Sequence, residues 1–150
     1  MPIRPFDPSA PAVGALIPDF STQTFGGQCI HRRDFKGRRH LVICFAAEGD
    51  SAPLLATLAT MIPAWRAERA DALLILPAMS GSIDANVAAI VVADGEGALR
   101  KRFGVGANAA LFIADRYGEI VCHATTATAL DLPLDEVLPI LEQIEMRCSL

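Results

Sequence analysis

Two short apolar runs, residues 40–46 (His-Leu-Val-Ile-Cys-Phe-Ala) and 72–77 (Ala-Leu-Leu-Ile-Leu-Pro), flank a long amphipathic stretch. Runs this short that are apolar at nearly every position, rather than at every second one, read as strands buried on both faces. Between them Leu54, Leu55, Leu58, Met61, Ile62 and Trp65 recur every three or four residues, which predicts a helix over residues 51–69 with one apolar stripe. Two parallel strands cannot be joined by a tight turn and need a long crossover, which this helix supplies. That single β-α-β unit commits the chain to an α/β sheet. Ser51 is a good residue to cap the helix start. Pro63 should kink it, because proline lacks the N–H and crowds the preceding turn.

The remaining segments add strands of both directions. Residues 13–20 lead in, with a turn at Pro18-Asp19-Phe20, and residues 20–25 and 28–32 form a short hairpin across Gly26-Gly27. Residues 34–39 make a polar loop and 80–86 another, followed by a strand over 89–92. A short helix over 96–103 starts near Asp94 and stops at Gly104. Residues 110–114 and 119–123 flank Asp115-Arg116-Tyr117-Gly118, an antiparallel hairpin in which Gly118 takes the positive φ. The last helix spans 133–147. Leu134, Val137, Leu138, Leu141 and Ile144 form its apolar face, Asp131, Asp135 and Glu136 sit at its positive end, and Arg147 at its negative end. No segment repeats another. The sum is an α/β protein with a mixed central sheet flanked by helices and an N-terminal β-hairpin.

Composition bounds the function classes. With 52% apolar and 20% charged residues the chain is greasier than an ordinary domain, yet no apolar run reaches the roughly 18 residues of a membrane span. The surplus apolar surface points to a homodimer or other homo-oligomer. A net charge of -4 argues against nucleic acid. The one basic stretch, Arg32, Arg33, Lys36, Arg38 and Arg39, is broken by Asp34 and Gly37 and reads as a solvated loop. The first residues, Met1-Pro2-Ile3-Arg4-Pro5-Phe6-Asp7-Pro8, lack the apolar core of a signal peptide, so residues 1–12 read as an extended arm, 13–150 as a single domain, and the location as cytoplasmic. Cys29, Cys44, Cys122 and Cys148 include no C-x-x-C pair, which leaves free thiols and neither a metal nor a cofactor site.

Four stretches in order carry a family resemblance: Val13-Gly14-Ala15-Leu16-Ile17-Pro18-Asp19-Phe20; Gly27-Gln28-Cys29-Ile30-His31 followed by Asp34-Phe35-Lys36-Gly37; Val92 and Asp94 through Phe103-Gly104-Val105; and Leu111-Phe112-Ile113-Ala114-Asp115 followed by Gly118-Glu119-Ile120. Together, from about residue 13 to 144, they resemble the peroxiredoxins of the alkyl hydroperoxide reductase and thiol-specific antioxidant type. The resemblance implies a thioredoxin-like fold and a thiol-dependent peroxidase. It also implies where the catalytic residues belong, and there this chain departs from the pattern. Counting from Phe45, the family's proline, threonine and peroxidatic cysteine fall on Ala47, Ser51 and Leu54, and its arginine falls on Ala109 or Ala110. A leucine cannot act as a nucleophile. The segment between the strands at 72–77 and 89–92 is also short for the family. These departures imply a pseudoenzyme, a degenerate redoxin serving as a non-catalytic binding or assembly module for a protein partner or a small molecule. The alternative is a peroxidase that uses a displaced cysteine, Cys148 or Cys29.

Other chemistry is weakly written. Cys44 lies mid-strand and reads as a buried, inert thiol. Cys122 and His123 are neighbours on a strand, so they point to opposite faces and do not make a catalytic pair. Cys29 on the hairpin and Cys148 after the last helix read as exposed thiols, open to a resolving role or to glutathionylation. Gly49-Asp50-Ser51 suggests half of a nucleophile elbow, with Asp115 and His123 in the allowed order, but Pro53 stands where the second glycine belongs. Glu48 and Asp50 would raise the pKa of a nearby thiol rather than lower it. His31, His40 and His123 show no ligand spacing, and Gly104-Val105-Gly106 follows a helix instead of opening one.

Overall fold

A computed structural model describes residues 13–77 and 90–148. Five strands form one sheet in the order β5-β4-β3-β6-β7: β3 (His40–Phe45), β4 (Ala70–Leu76), β5 (Val91–Ala93), β6 (Ala109–Ala114) and β7 (Ile120–Thr126). The β3–β4 and β4–β5 pairs are parallel, and β3–β6 and β6–β7 are antiparallel, so the sheet is mixed as expected. The crossover from β3 to β4 is α1 (Ser51–Ala67). A short α2 (Ala98–Phe103) follows β5, and α3 (Val137–Cys148) closes the described chain. The N-terminal hairpin is β1 (Ser21–Gln23) with β2 (Cys29–His31), turning at Gly27 with φ of 90°.

Every residue of β3 is buried, which is what a central strand covered on both faces requires. Alternation sorts its side chains. Val42 and Cys44 face a core shared with Leu54, Leu58 and Trp65 of α1 and Val137, Leu141 and Ile144 of α3. Leu41, Ile43 and Phe45 face the other core, with Leu99 and Phe103 of α2, Phe112 of β6 and Phe20 and Ile30 of the hairpin region. There Phe45, Phe103 and Phe112 form a tilted and edge-on cluster with centroids 5.2–6.0 Å apart.

Both sheet edges are tied to the N-terminal segment. Gly14 donates to the Ile120 carbonyl, Ile120 to Ala15 and Ile17 to Gly118, each at 2.8 Å, along β7. At the far edge Phe25 donates to Val91 at 2.6 Å and Thr24 bridges Val92 of β5. Residues 14–25 thus pass from one edge strand to the other.

Several boundaries differ from the sequence reading. α1 ends at Ala67, two residues early, because Arg69 takes a left-handed φ of 60°. It runs through Pro63 as one uninterrupted helix. β4 starts two residues early, at Ala70, and stops before Pro77, which has no N–H for a ladder. The short helix starts at Ala98, since Gly97 is left-handed (φ 73°), and ends at left-handed Gly104. β7 runs on to Thr126, beyond the expected 123. The last helical segment opens as a 3-10 turn, Leu134–Glu136, before α3. Pro139 cannot donate to the Asp135 carbonyl, so an α-helical ladder cannot begin earlier. The arm at 1–12, the loop at 80–86 and the shortened segment before β5 lie outside the described residues. Among the described residues no helix is long and apolar enough to cross a membrane.

Candidate functional site

The site begins where β3 ends. Ala46 and Ala47 are buried, and Ala46 still donates to the Ile75 carbonyl at 3.0 Å. Gly49, at a φ of 87°, reverses the chain, and Asp50 donates to the Ala47 carbonyl at 3.1 Å. The helix cap is Asp50, not Ser51, which is the first helical residue. The Asp50 side chain does not bond to the helix N–H groups. Its Oδ2 accepts from the Ala47 N–H at 3.3 Å and from the Ala129 N–H at 2.7 Å, joining this turn to the loop after β7.

Helix N-termini ordinarily attract anions through free N–H groups and the helix dipole. Here three features work against that. Asp50 and the exposed Glu48 put carboxylates at the positive end. Pro53 removes a donor from the first turn. Leu54 is 3% exposed and packs in the α1–α3 core. No thiol stands in this turn. Among the described cysteines Cys44 and Cys122 are buried, and burial pushes the Cys44 thiol up to about 12. Burial, and then the Glu136 carboxylate, pushes Cys122 up to about 11. Neither is a thiolate near neutral pH.

Beneath the turn lies a cation that the sequence reading missed. Arg100 of α2 is almost buried, and its guanidinium donates to the carbonyls of Gly106 (3.0 Å), Asn108 (2.8 Å) and Ala46. It also sits 5.7 Å from the centroid of the Phe45 ring. Asp94 holds its backbone: the Leu99 and Arg100 N–H groups donate to the two Asp94 carboxylate oxygens at 3.1 Å each. Burial lowers the pKa of Arg100 and the Asp94 charge opposes that shift. One signal was present in the sequence: Arg100 lies between Leu99 and Phe103 on an otherwise apolar face of a very short helix. Ala109 and Ala110 are both buried in β6, Ala110 directly opposite Phe45, so the end of β6 reaches the site with methyl groups only.

The other candidates are scattered. Asp115 lies at the far end of β6, beyond Ala114, which pairs with Leu41. Its carboxylate accepts the N–H groups of Tyr117 (2.9 Å) and Glu119 (3.0 Å). Ser51 follows the opposite end of β3, so register alone separates it from Asp115. His123 is buried with both ring nitrogens unpartnered, stacks on Phe112 at 5.5 Å, and has its pKa lowered by burial. Cys122 packs in the core on the other side of the sheet, as strand alternation requires. His40 is paired, its Nε2 2.6 Å from a Glu145 oxygen, and His31 closes β2. Cys29 is an exposed thiol on the hairpin. Cys148 ends α3, and its side chain lies outside the described residues. In the basic stretch Arg32 donates to the Ile17 carbonyl and Arg39 pairs with Asp71 at 3.2 Å. Among the described residues no group of three His, Cys, Asp or Glu side chains converges to hold a metal.

What the site offers is a groove of about 220 Å³ beside the start of α1. One wall is Pro53, Thr57 and Met61, with Leu54 below them; the other is Leu130, Leu132 and Leu134.

No family model matches this sequence, and no curated protein matches it. Solved structures do. The reduced 2-Cys peroxiredoxin of Plasmodium vivax superposes with a TM-score of 0.73 at 14% identity, over 91% of this chain and 83% of that one. The bacterioferritin comigratory protein of Xanthomonas campestris gives 0.72 at 22% identity, over 89% and 97%. Peroxidoxin BcpB of Mycobacterium tuberculosis gives 0.70 at 16% identity, over 89% and 98%. At these identities the likeness is one of fold: the chain has the thioredoxin-like fold in the form that peroxiredoxins carry.

Proposed function

We propose that this chain is a non-catalytic binding or assembly module on a peroxiredoxin-like fold. One observation carries the reading. The first turn of α1, where the resemblance puts a reactive thiol, holds the buried Leu54 behind two carboxylates. A thiol needs a nearby positive field to ionise near neutral pH. Among the described residues the one buried arginine or lysine, Arg100, donates to three backbone carbonyls. Leu16 and Tyr117, both exposed, line one shared surface, which favours self-association or a protein partner over an isolated monomer. A second reading rests on the exposure of Cys29: a peroxidase in which a displaced cysteine, Cys29 or Cys148, is oxidised by a hydroperoxide and re-reduced by an external dithiol.

The test is dithiol-dependent hydroperoxide reduction by the purified chain beside a Cys29→Ser, Cys148→Ser double variant. Absence of turnover in both is the expected result. Turnover in the parent that disappears in the variant would establish the second reading and end the first.

A further inference from the structure

The groove beside α1 has a definite electrostatic character. Its lining is mostly apolar, and Leu130 stands on its lip 80% exposed. The 3-10 turn Ala129–Asp131 carries that leucine, and the Ala129 N–H is fixed by the Asp50 carboxylate. An isolated exposed leucine needs no explanation, but one clamped at the mouth of an apolar groove is a fixed contact surface. Around it the charge has one sign. Asp50 and Asp135 line the groove, and Asp131 follows Leu130. Asp131 accepts only the Thr128 hydroxyl at 3.3 Å, and no described lysine or arginine pairs with any of the three. The segments that build both walls, residues 40–65 and 117–146, contain no lysine or arginine at all.

We propose that this groove docks a protein segment in which lysine or arginine flanks a large apolar side chain. The apolar walls take the apolar side chain and the carboxylate rim takes the cations. An anionic ligand meets only repulsion here. At about 220 Å³ and partly open to solvent, the groove is below the usual size of a small-molecule pocket, and it suits one or two side chains of a protein segment. The proposal names the partner chemistry for the non-catalytic module above and rests on that reading of the start of α1.

The test uses the full chain and two fluorescein-labelled peptides, one alternating leucine and arginine, the other with glutamate for each arginine. Binding is read by anisotropy and located by backbone amide shifts. The arginine peptide is expected to bind at least about tenfold more tightly than the glutamate peptide, and to weaken with salt. Leu130→Ser and the pair Asp131→Asn, Asp135→Asn alter exposed side chains and leave the fold intact. Each is expected to weaken binding about fivefold, with shifts centred on Leu54, Thr57, Met61 and Leu130. Equal binding of both peptides, binding indifferent to these variants, or shifts elsewhere would overturn the proposal. So would self-association abolished by Leu130→Ser, which would make a second copy the occupant. The hydroperoxide assay is run on the same preparation. Turnover without loss of peptide binding removes the non-catalytic reading alone; absence of both turnover and binding removes the docking proposal alone.

Discussion

Replacing Arg100 with methionine keeps the apolar stem and deletes the guanidinium, which isolates what the buried cation contributes. Three carbonyls lose their donor, but not equally. Gly106 and Asn108 are exposed residues, so water can replace the lost bonds at about 0.5 kcal/mol each. The Ala46 carbonyl belongs to a fully buried residue and is left unpaired, at about 2 kcal/mol. Loss of the cation over the Phe45 ring adds about 0.5 kcal/mol. Relief from burying a charge offsets part of this sum, leaving a net destabilisation of about 3 kcal/mol. For a chain of this length that is a fall in Tm of about 6–12 °C. Trp65, the single tryptophan and 2% exposed, reports unfolding in urea by its fluorescence. Arg100→Lys retains one compact donor and should lose about half as much. If Arg100→Met stays within about 0.5 kcal/mol of the parent, or if lysine is no better than methionine, the guanidinium does not hold the β3–α1 turn and the argument fails.

Other outcomes follow from the same geometry. His123 is buried and neutral with its pKa lowered, so the unfolded chain binds the extra proton first. Stability should therefore fall as pH drops below about 6.5, by up to about 1.4 kcal/mol per pH unit until the folded-state pKa is reached. His123→Phe should remove that part of the slope in urea titrations. Asp50→Ala strands the Ala47 and Ala129 N–H groups and should cost about 2 kcal/mol, with faster amide exchange at Ala129–Asp131; Asp50→Asn, which keeps an acceptor, should cost less. Leu54→Cys should yield a buried thiol that reacts slowly with disulfide reagents at pH 8 and gives no hydroperoxide turnover, and turnover would refute the electrostatic reading of the turn. Iodoacetamide at pH 7.5 should modify Cys29 in the native chain and spare Cys44 and Cys122, as peptide masses will show.

The architecture was legible because its signals are local and repeated. Two apolar runs with a 3.6-period stripe between them leave one sensible connection, and Gly27, Gly104 and Gly118 take the positive φ that their turns require. The errors fell where a single residue's partner is remote. Ser51 looked like the cap because serine suits that role. Asp50 took it instead, since its carboxylate is drawn to the Ala129 N–H, 79 residues further along the chain. Arg100 is inconspicuous in the sequence for the same reason: it is one of thirteen basic residues until folding brings the Ala46 carbonyl over it. Pro139 hid the 3-10 opening of the last helix, since period alone does not reveal which N–H is missing. The residues around the start of α1, Ala47, Ser51 and Leu54, are legible in the sequence as lacking a thiol, because the absence of a cysteine needs no partner to be seen.

The segment from Gly14 to Phe25 has a consequence for how the molecule is made. It binds β7 with its first residues and β5 with its last, so although it leaves the ribosome early it can complete its hydrogen bonds only after residue 120 has emerged. Contacts of such long sequence separation form late and slow the search for the native state. Until then part of the rim of a strongly apolar sheet stays open to neighbouring chains. During synthesis the N-terminal segment therefore waits on β7 before it can dock in full, and that interval exposes the chain to aggregation.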